Sequence, residues 1–312
     1  PPRSTLFPYT TLFRSAFPVA AFDLQAHRGG RALWPENTLP AFERSLDLGV
    51  DTLELDTGVT KDGVLIIAHD RHVDANLARR DGQWVEGPQP TWRSLTLAEV
   101  GALDVGRIRP GSTYAKRFPG QMAIDGTGVP TLASLFDLVK KREDRNIRFN
   151  IETKIDPTNP KDSVDPETFI ALLVKQVRDA DLSDRVTIQS FDWRTLQVVH
   201  RIAPEIATAY LTIIDPEESN VSMDGASPWT AGFDPKGHGG SLPAAIKAAG
   251  GDIWSPYHLN LTPALVKEAQ ALGLKVIPWT VNDPADMRRL IAWGVDGLIT
   301  DDPVTGRQVL GR

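Results

Sequence analysis

Between Asp23 and Asp70 the chain gathers two histidines, an arginine and paired carboxylates at the ends of short alternating segments. In Asp23 to His27 polar and apolar residues alternate, so Asp23, Gln25 and His27 share a face and His27 is expected at a strand's carboxyl end, beside Arg28. Gly29 and Gly30 then let the backbone turn. Thr52 to Asp56 alternates again, which puts Glu54 and Asp56 on one face and Leu53 and Leu55 on the other. The turn signal Thr60-Lys61-Asp62-Gly63 and the apolar run Val64 to Ala68 return a second histidine, His69, toward the same end. A later segment, Ile147 to Lys154, presents Arg148, Asn150, Glu152 and Lys154 on one face, which adds a third carboxylate with a cationic neighbour. Glu54, Asp56 and Glu152 would repel one another if left bare in one cleft, and a divalent cation resolves that conflict. All-oxygen ligands suit a hard ion, Mg²⁺ or Ca²⁺, and the spacing does not separate the two. Histidines near neutral pH can both take and give protons.

These residues must be held by a scaffold, and the pattern of the chain predicts one. Strands near residues 23, 52, 147, 186, 207, 252, 275 and 297 are each followed by a helical pattern, which is the rhythm of an α/β (β/α)₈ TIM barrel. Four polar side chains on the face of Ile147 to Lys154 are wrong for a dry barrel interior but fit a barrel mouth. Two irregular segments interrupt the rhythm after the second and fifth strands. The first, at about 71–130, is expected to be an insertion or lid with one helix over Leu95 to Leu103. The second, Thr212 to Gly240, carries Trp229, Phe233 and His238 and is expected to complete a pocket wall. A strand over Lys275 to Val281 would place Trp279 in the same pocket, where it either stacks on substrate or simply packs, with the pocket role favoured, and Gln189 from Val186 to Phe191 is a similar, weaker candidate for substrate contact. His72, His200, His238 and His258 read as structural. An open doubly wound sheet fits less well, because no glycine-rich strand-to-helix turn is present.

The motifs His27-Arg28-Gly29, Pro35-Glu36-Asn37-Thr38, Glu54-Leu55-Asp56, Thr60-Lys61-Asp62-Gly63 and His69-Asp70 together resemble the series of the glycerophosphodiester phosphodiesterase family, in the right order at compatible spacing. The resemblance extends weakly to the C-terminus. It implies a metal-dependent phosphoric diester hydrolase that releases glycerol 3-phosphate and an alcohol, with His27 and His69 as the acid-base pair, and it places Glu36 and Asn37 near the site. It also suggests that a glycerol hydroxyl attacks phosphorus first to give a cyclic phosphate that water then opens; direct attack by water is the competing route. Which histidine is acid and which base stays open. In charge terms, three carboxylates, one dication, Arg28 and Lys154 leave one net positive charge, which a phosphodiester would neutralise. Action on lysophospholipids, by phospholipase D-like or lyase chemistry, and a noncatalytic phosphate-binding module are the alternatives. The former expects an exposed apolar rim, and the latter the loss of a histidine or carboxylate.

Composition bounds the remaining choices. The chain has 312 residues, 41% hydrophobic and 24% charged, enough for one barrel with insertions over residues 23–312. A net charge of -6 argues against a nucleic acid partner, and no apolar run is long enough to span a bilayer. The absence of cysteine excludes disulfides and thiol chemistry but does not fix a compartment. Oligomeric state is not readable. Residues 1–22 are expected to lie outside the fold: Pro1 to Ser15 resembles the translation of a widely used DNA-sequencing adapter, and Ala16 to Ala21 reads as the small-residue end of an export signal whose start is missing. That favours an exported protein and keeps a cytoplasmic one open.

Overall fold

The computed structural model describes residues 22–312. Residues 1–21, the adapter-like stretch and the expected signal remnant, lie outside the described residues, while Phe22 packs against the core. Eight parallel strands form the barrel: β1 Asp23–Ala26, β2 Thr52–Val59, β3 Arg148–Thr153, β4 Val186–Ser190, β5 Ala207–Thr212, β6 Ile253–Pro256, β7 Lys275–Val276 and β8 Gly297–Thr300. Their spatial order runs β7-β6-β5-β4-β3-β2-β1-β8. The seam between the two ends is crossed by backbone bonds from Asp296 to Val276 (2.9 Å), Ile299 to Pro278 (3.0 Å) and Val281 to Ile299 (2.9 Å), giving a nearly closed barrel. β7 is shorter than the alternation predicts because Pro278 has no N–H to give the ladder, although Trp279 still bonds Pro256 at 3.0 Å.

A helix follows every strand, and the local sequence explains where each begins. Thr38 caps Leu39–Leu48, Asp165 caps Pro166–Asp179 and Asp302 caps Pro303–Leu310, each accepting a backbone N–H, with proline in the first turn. Such a cap contributes about 1 kcal/mol, and the fixed φ of proline suits the helix start. The outward faces of the strands, including Leu53, Leu55, Phe149, Ile151 and Ile188, are fully buried under these helices. The inward face is polar. Asn150 Nδ2 donates to Gln25 Oε1 at 2.8 Å and to Gln189 Oε1 at 2.9 Å, and Gln25 Nε2 donates to Asp23 Oδ2 at 2.9 Å. Interlocked amides therefore fill the barrel beneath the mouth, where buried polar groups need partners.

The segment 71–130 is an insertion, but not around the expected helix. Thr96 and Glu99 form a capping box for a helix of only Leu97–Val100; Gly101 ends it, and Leu103–Asp104 turns into a small antiparallel sheet with Arg79–Arg80 and Gln83–Trp84. Ile66, Val73, Trp92, Val100 and Leu103 give this insertion its own core, and Trp92 Nε1 donates to the carbonyl of Asp70 at 2.7 Å, tying that core to the residue after His69. The segment 213–240 is organised by buried Asn220. Its Oδ1 accepts from Ile213 N (2.9 Å), and its Nδ2 donates to the carbonyls of Leu211 and Phe191 (3.0 and 3.1 Å). Among the described residues no helix is long and apolar enough to cross a membrane.

Candidate active site

β1 ends at Ala26, and His27, Arg28 and Gly29 form a single tight turn at the mouth. Arg28 is held at φ 51°, a conformation a non-glycine residue adopts only under constraint, and its neighbours supply it. Its backbone N–H donates to Glu54 Oε2 (2.8 Å), its Nη1 donates to Glu36 Oε1 (2.7 Å) and its Nε lies 3.2 Å from Asp56 Oδ2. Gly29, at φ 77°, is held close: a Cβ would stand 3.0 Å from the Phe42 ring, tight enough that the ring would have to shift, in a conformation that strains any side chain. The turn is thus pressed onto the first helix, and Arg28 is fixed across three carboxylates.

Glu54 and Asp56 leave β2 on the inward face, and β2 pairs with β3 so that Asp56 stands beside Glu152. Glu54, Asp56 and Glu152 each place an oxygen within 4.8 Å of the others, and all three are buried. Lys154 Nζ donates to Glu152 Oε1 at 2.7 Å and lies 3.7 Å from Asp56 Oδ1. Asn37 Nδ2 donates to Asp56 Oδ2 at 2.9 Å, yet Asp56 Oδ1 has no hydrogen-bond partner. The site's electrostatics follow from this crowding. Burial, then the charges of Asp56 and Glu152, push the Glu54 carboxyl well above its ordinary value. Burial pushes Glu152 up to about 7, with Lys154 opposing it. For Asp56, burial would raise the carboxyl, but His69, Arg28 and Lys154 together hold it far below the usual range. A hard dication fits this donor set: three buried carboxylates, two of them reluctant to ionise, and one oxygen with no donor.

Both expected histidines are at the mouth. His27 Nε2 lies 3.9 Å from Glu54 Oε2, while its Nδ1 is 2.6 Å from Asp301 Oδ1. Arg31 Nε donates to the same oxygen at 2.6 Å, and Asn282 Nδ2 to the other at 2.7 Å. Burial first, then Arg31, pushes His27 down to about 4. Asp301 stays ionised, because His27 and Arg31 overcome its burial. A neutral imidazole beside an ionised carboxylate carries its hydrogen on Nδ1, so Nε2 keeps its lone pair. His69 repeats the arrangement: its Nδ1 is 2.6 Å from Asp70 Oδ1, and burial followed by Arg28 pushes it down to about 4.

Arg28, His69, Glu152, Lys154 and Trp279 all line one cavity of about 910 Å³. Gln189, like His27, Glu54 and Asp56, does not line it. Its Nε2 donates to Glu54 Oε1 at 2.7 Å and its Oε1 accepts from Asn150, so it supports a ligand carboxylate from below. Trp229 lines the cavity, whereas His238 stacks on Phe233 and bonds the Asp234 carbonyl (2.9 Å), away from it. Sequence reasoning left out Arg31, Tyr114 and Asp301, and named Asp70 only as part of the His69-Asp70 motif, without a role. Asp301 had a signal, since it immediately follows a barrel strand at the mouth. Tyr114 had none: it comes from the insertion, where its hydroxyl donates to Glu36 Oε2. Counting Glu36, Asp70, Asp301 and Arg31 with Glu54, Asp56, Glu152, Arg28 and Lys154, one dication would leave the site negative by one rather than positive by one.

Residues 27–305 match the glycerophosphoryl diester phosphodiesterase family. A glycerophosphodiester phosphodiesterase of Caldanaerobacter subterraneus subsp. tengcongensis is 31% identical, covering 90% of this chain and 94% of that protein. One from Bacillus subtilis is 30% identical over 89% of this chain and 83% of its own length. A Silicibacter pomeroyi crystal structure, assigned as a glycerophosphoryl diester phosphodiesterase, superposes with a TM-score of 0.84 at 36% identity, covering 94% of each chain.

Proposed function

The chain belongs to the glycerophosphoryl diester phosphodiesterase family, and on that premise we propose that it hydrolyses glycerophosphodiesters to glycerol 3-phosphate and an alcohol with the aid of one divalent cation. The observation that carries this reading is the placement of two neutral imidazoles, each with Nε2 open, around three carboxylates that need a cation.

Glu54, Asp56 and Glu152 would hold the ion, Mg²⁺ or Ca²⁺, which when bound supplies positive charge against the phosphoryl oxygens. Arg28 and Lys154 flank the same point and would bind the phosphoryl group; their pairing with Glu36, Asp56 and Glu152 fixes their positions before substrate arrives. One imidazole takes the proton of the attacking hydroxyl, and the other delivers a proton to the departing alkoxide. The approach of an anionic diester favours the protonated form of whichever histidine faces the leaving oxygen. A neighbouring glycerol hydroxyl as first nucleophile is consistent with two bases that can exchange roles between a ring-closing and a ring-opening step. A noncatalytic module has no use for two matched carboxylate–histidine pairs.

Glycerol 3-phosphate release from glycerophosphocholine tests the proposal, using purified protein after chelation and again with Mg²⁺ or Ca²⁺ restored. Release only with cation, abolished in His27→Ala and His69→Ala, is the expected result. A folded protein with no release on any diester under either ion would refute it.

A further inference from the structure

A chain of hydrogen bonds runs through the barrel interior to the carboxylates assigned to the cation. Asp23 Oδ2 accepts from Gln25 Nε2 at 2.9 Å. Gln25 Oε1 and Gln189 Oε1 both accept from Asn150 Nδ2, at 2.8 and 2.9 Å, and Gln189 Nε2 donates to Glu54 Oε1 at 2.7 Å. Gln25 stands on β1, Asn150 on β3, Gln189 on β4 and Glu54 on β2, so the chain crosses the barrel rather than following a strand. All four residues are at most 3% exposed, and each polar atom depends on its neighbours for a partner.

The polarity of this chain follows from its two ends. Asp23 is also met by Thr52 Oγ1 and Arg148 Nη2, at 2.7 and 2.8 Å, so it serves as an acceptor on both oxygens. Glu54 accepts at both oxygens as well, from Gln189 at one and from the Arg28 N–H at the other (2.8 Å), and as a cation ligand it offers lone pairs only. Two glutamines that must each donate outward turn their carbonyl oxygens inward. The side chain between them must then give two hydrogens from one point, which an NH₂ group does, whereas a hydroxyl has one hydrogen and a carboxylate none. The consequence is visible at the other atom of the same amide: Asn150 Oδ1 is buried with no hydrogen-bond partner. An apolar side chain would fill β3 without leaving such an acceptor, so packing alone does not account for an amide at this position.

We propose that Asn150 is a positioning residue for the cation site: by donating twice it fixes Gln189 with its NH₂ toward Glu54, and so holds that carboxylate in place for the ion. The proposal rests on the phosphodiesterase reading above through the assignment of Glu54 as a ligand. Asn150 itself does not line the cavity and acts only through Gln189. A Gln189 amide turned the other way would set its Oε1 against Glu54 Oε1, two acceptors at hydrogen-bond distance, and drive the ligand out of position.

Asn150→Asp tests this, because it keeps the shape and exchanges the NH₂ for an oxygen. The flanking glutamines are then drawn to turn their own NH₂ groups inward, and Gln189 presents its oxygen to Glu54. Cation affinity of chelator-stripped protein, read from the rise in Tm on titration with Mg²⁺ or Ca²⁺ at pH 8, should fall roughly 10- to 100-fold. The direction is diagnostic, since an added carboxylate would by Coulomb attraction alone tighten cation binding. In a Gln189→Leu background the same substitution should produce no further loss, because the group through which Asn150 acts is gone. Unchanged or tighter binding in Asn150→Asp, or an equal loss in both backgrounds, overturns the proposal and leaves the phosphodiesterase reading standing. Should Asn150→Asp not fold, Asn150→Leu, which neither donates nor accepts, runs the same cycle with a loss of about tenfold expected. Binding of neither cation by the unsubstituted protein would count against that reading instead, and neutron diffraction of the unsubstituted protein then decides the relay alone. Deuterium on the Asn150 nitrogen directed at both glutamine oxygens supports it, and deuterium on Gln189 directed at Asn150 refutes it.

Discussion

His27 Nδ1 and Asp301 Oδ1 lie 2.6 Å apart although 274 residues separate them in the chain. Barrel closure makes the pair. β1 and β8 run parallel with Ala26 opposite Thr300, so the next residue on each strand is His27 on one and Asp301 on the other. Arg31 and Asn282 each hold one oxygen of the carboxylate, which therefore cannot swing away from the imidazole. Asp301 is a positioning residue: it fixes which nitrogen carries hydrogen and where Nε2 points.

Replacing Asp301 with Asn should therefore lower kcat roughly 10²-fold while KM changes little, because an amide can present its NH₂ to Nδ1 and select the wrong tautomer. Asn282→Ala removes one of the two groups that hold the carboxylate and should cost less. Steady-state kinetics alongside far-UV circular dichroism check this. A proportionate loss of folded protein and activity in Asp301→Asn would reduce the residue to a structural one.

The strand ends that carry His27, Glu54, Asp56, Glu152 and Lys154 were legible in the sequence because a period of two both builds a strand and aims alternate side chains at one place. Asp301 was harder to see, since its meaning depends on which strands become neighbours at the seam, and local pattern does not encode that. The role of Gln189 was open in the sequence for a related reason. The alternation correctly put it on the inward face, but depth within the barrel decides whether an inward residue touches substrate or another side chain. In the insertion, propensity favoured a longer helix through Leu103, and the pairing of Leu103–Asp104 with Arg79–Arg80 overrode it.

Gln189 supplies the second prediction. Its amide donates to Glu54 Oε1, on a carboxylate that burial makes reluctant to ionise. Gln189→Leu keeps the volume and removes the donor. The cation concentration that gives half-maximal activity should rise roughly 10- to 100-fold, the usual cost of losing a partner of a metal ligand. Titration of chelated protein with Mg²⁺ or Ca²⁺ measures it, and an unchanged midpoint would place Gln189 outside the metal's support.

The third concerns pH. Burial raises Glu152 to about 7 in the folded chain, above its unfolded value, so its contribution to stability is fully present below about 4.5 and is lost as pH rises through about 7. In chelated protein the folded state therefore gives up stability over that window, whereas a bound cation compensates the ionised carboxylate. His27 and His69, lowered to about 4, act oppositely: they destabilise the fold as pH falls from about 6.5 toward 4. The gap in Tm between cation-loaded and chelated protein should accordingly widen from pH 5 to pH 8. Differential scanning fluorimetry reads it directly. A gap that is flat across that range, or one that survives in Glu152→Gln, would remove Glu152 from the metal site.

Tyr114 tests whether the insertion reaches the chemistry. Its hydroxyl donates to Glu36 Oε2, whose other oxygen accepts from Arg28 Nη1, so a residue of the insertion sits two hydrogen bonds from the group assigned to the phosphate. Burial and the Glu36 charge push the phenol well above its ordinary value, which keeps it a donor throughout the working range. The helix that carries it, Thr113–Arg117, has five residues and no fully buried side chain, Tyr114 itself being half-buried, so its position depends on such contacts and on Phe118, which packs edge-on against Tyr114 at 5.2 Å and lies 5.0 Å beneath the Arg31 guanidinium. A segment held this way opens at low cost without unfolding the barrel. Tyr114→Phe keeps the ring contact and deletes the donor. Amide exchange should accelerate within 111–120, KM for a glycerophosphodiester should rise roughly tenfold as Arg28 loses its fixed partner, and Tm should move by no more than about 2 °C. A fall in Tm matching the loss of affinity would make the hydroxyl a support of the whole fold, and unchanged exchange with unchanged KM would leave the insertion a bystander.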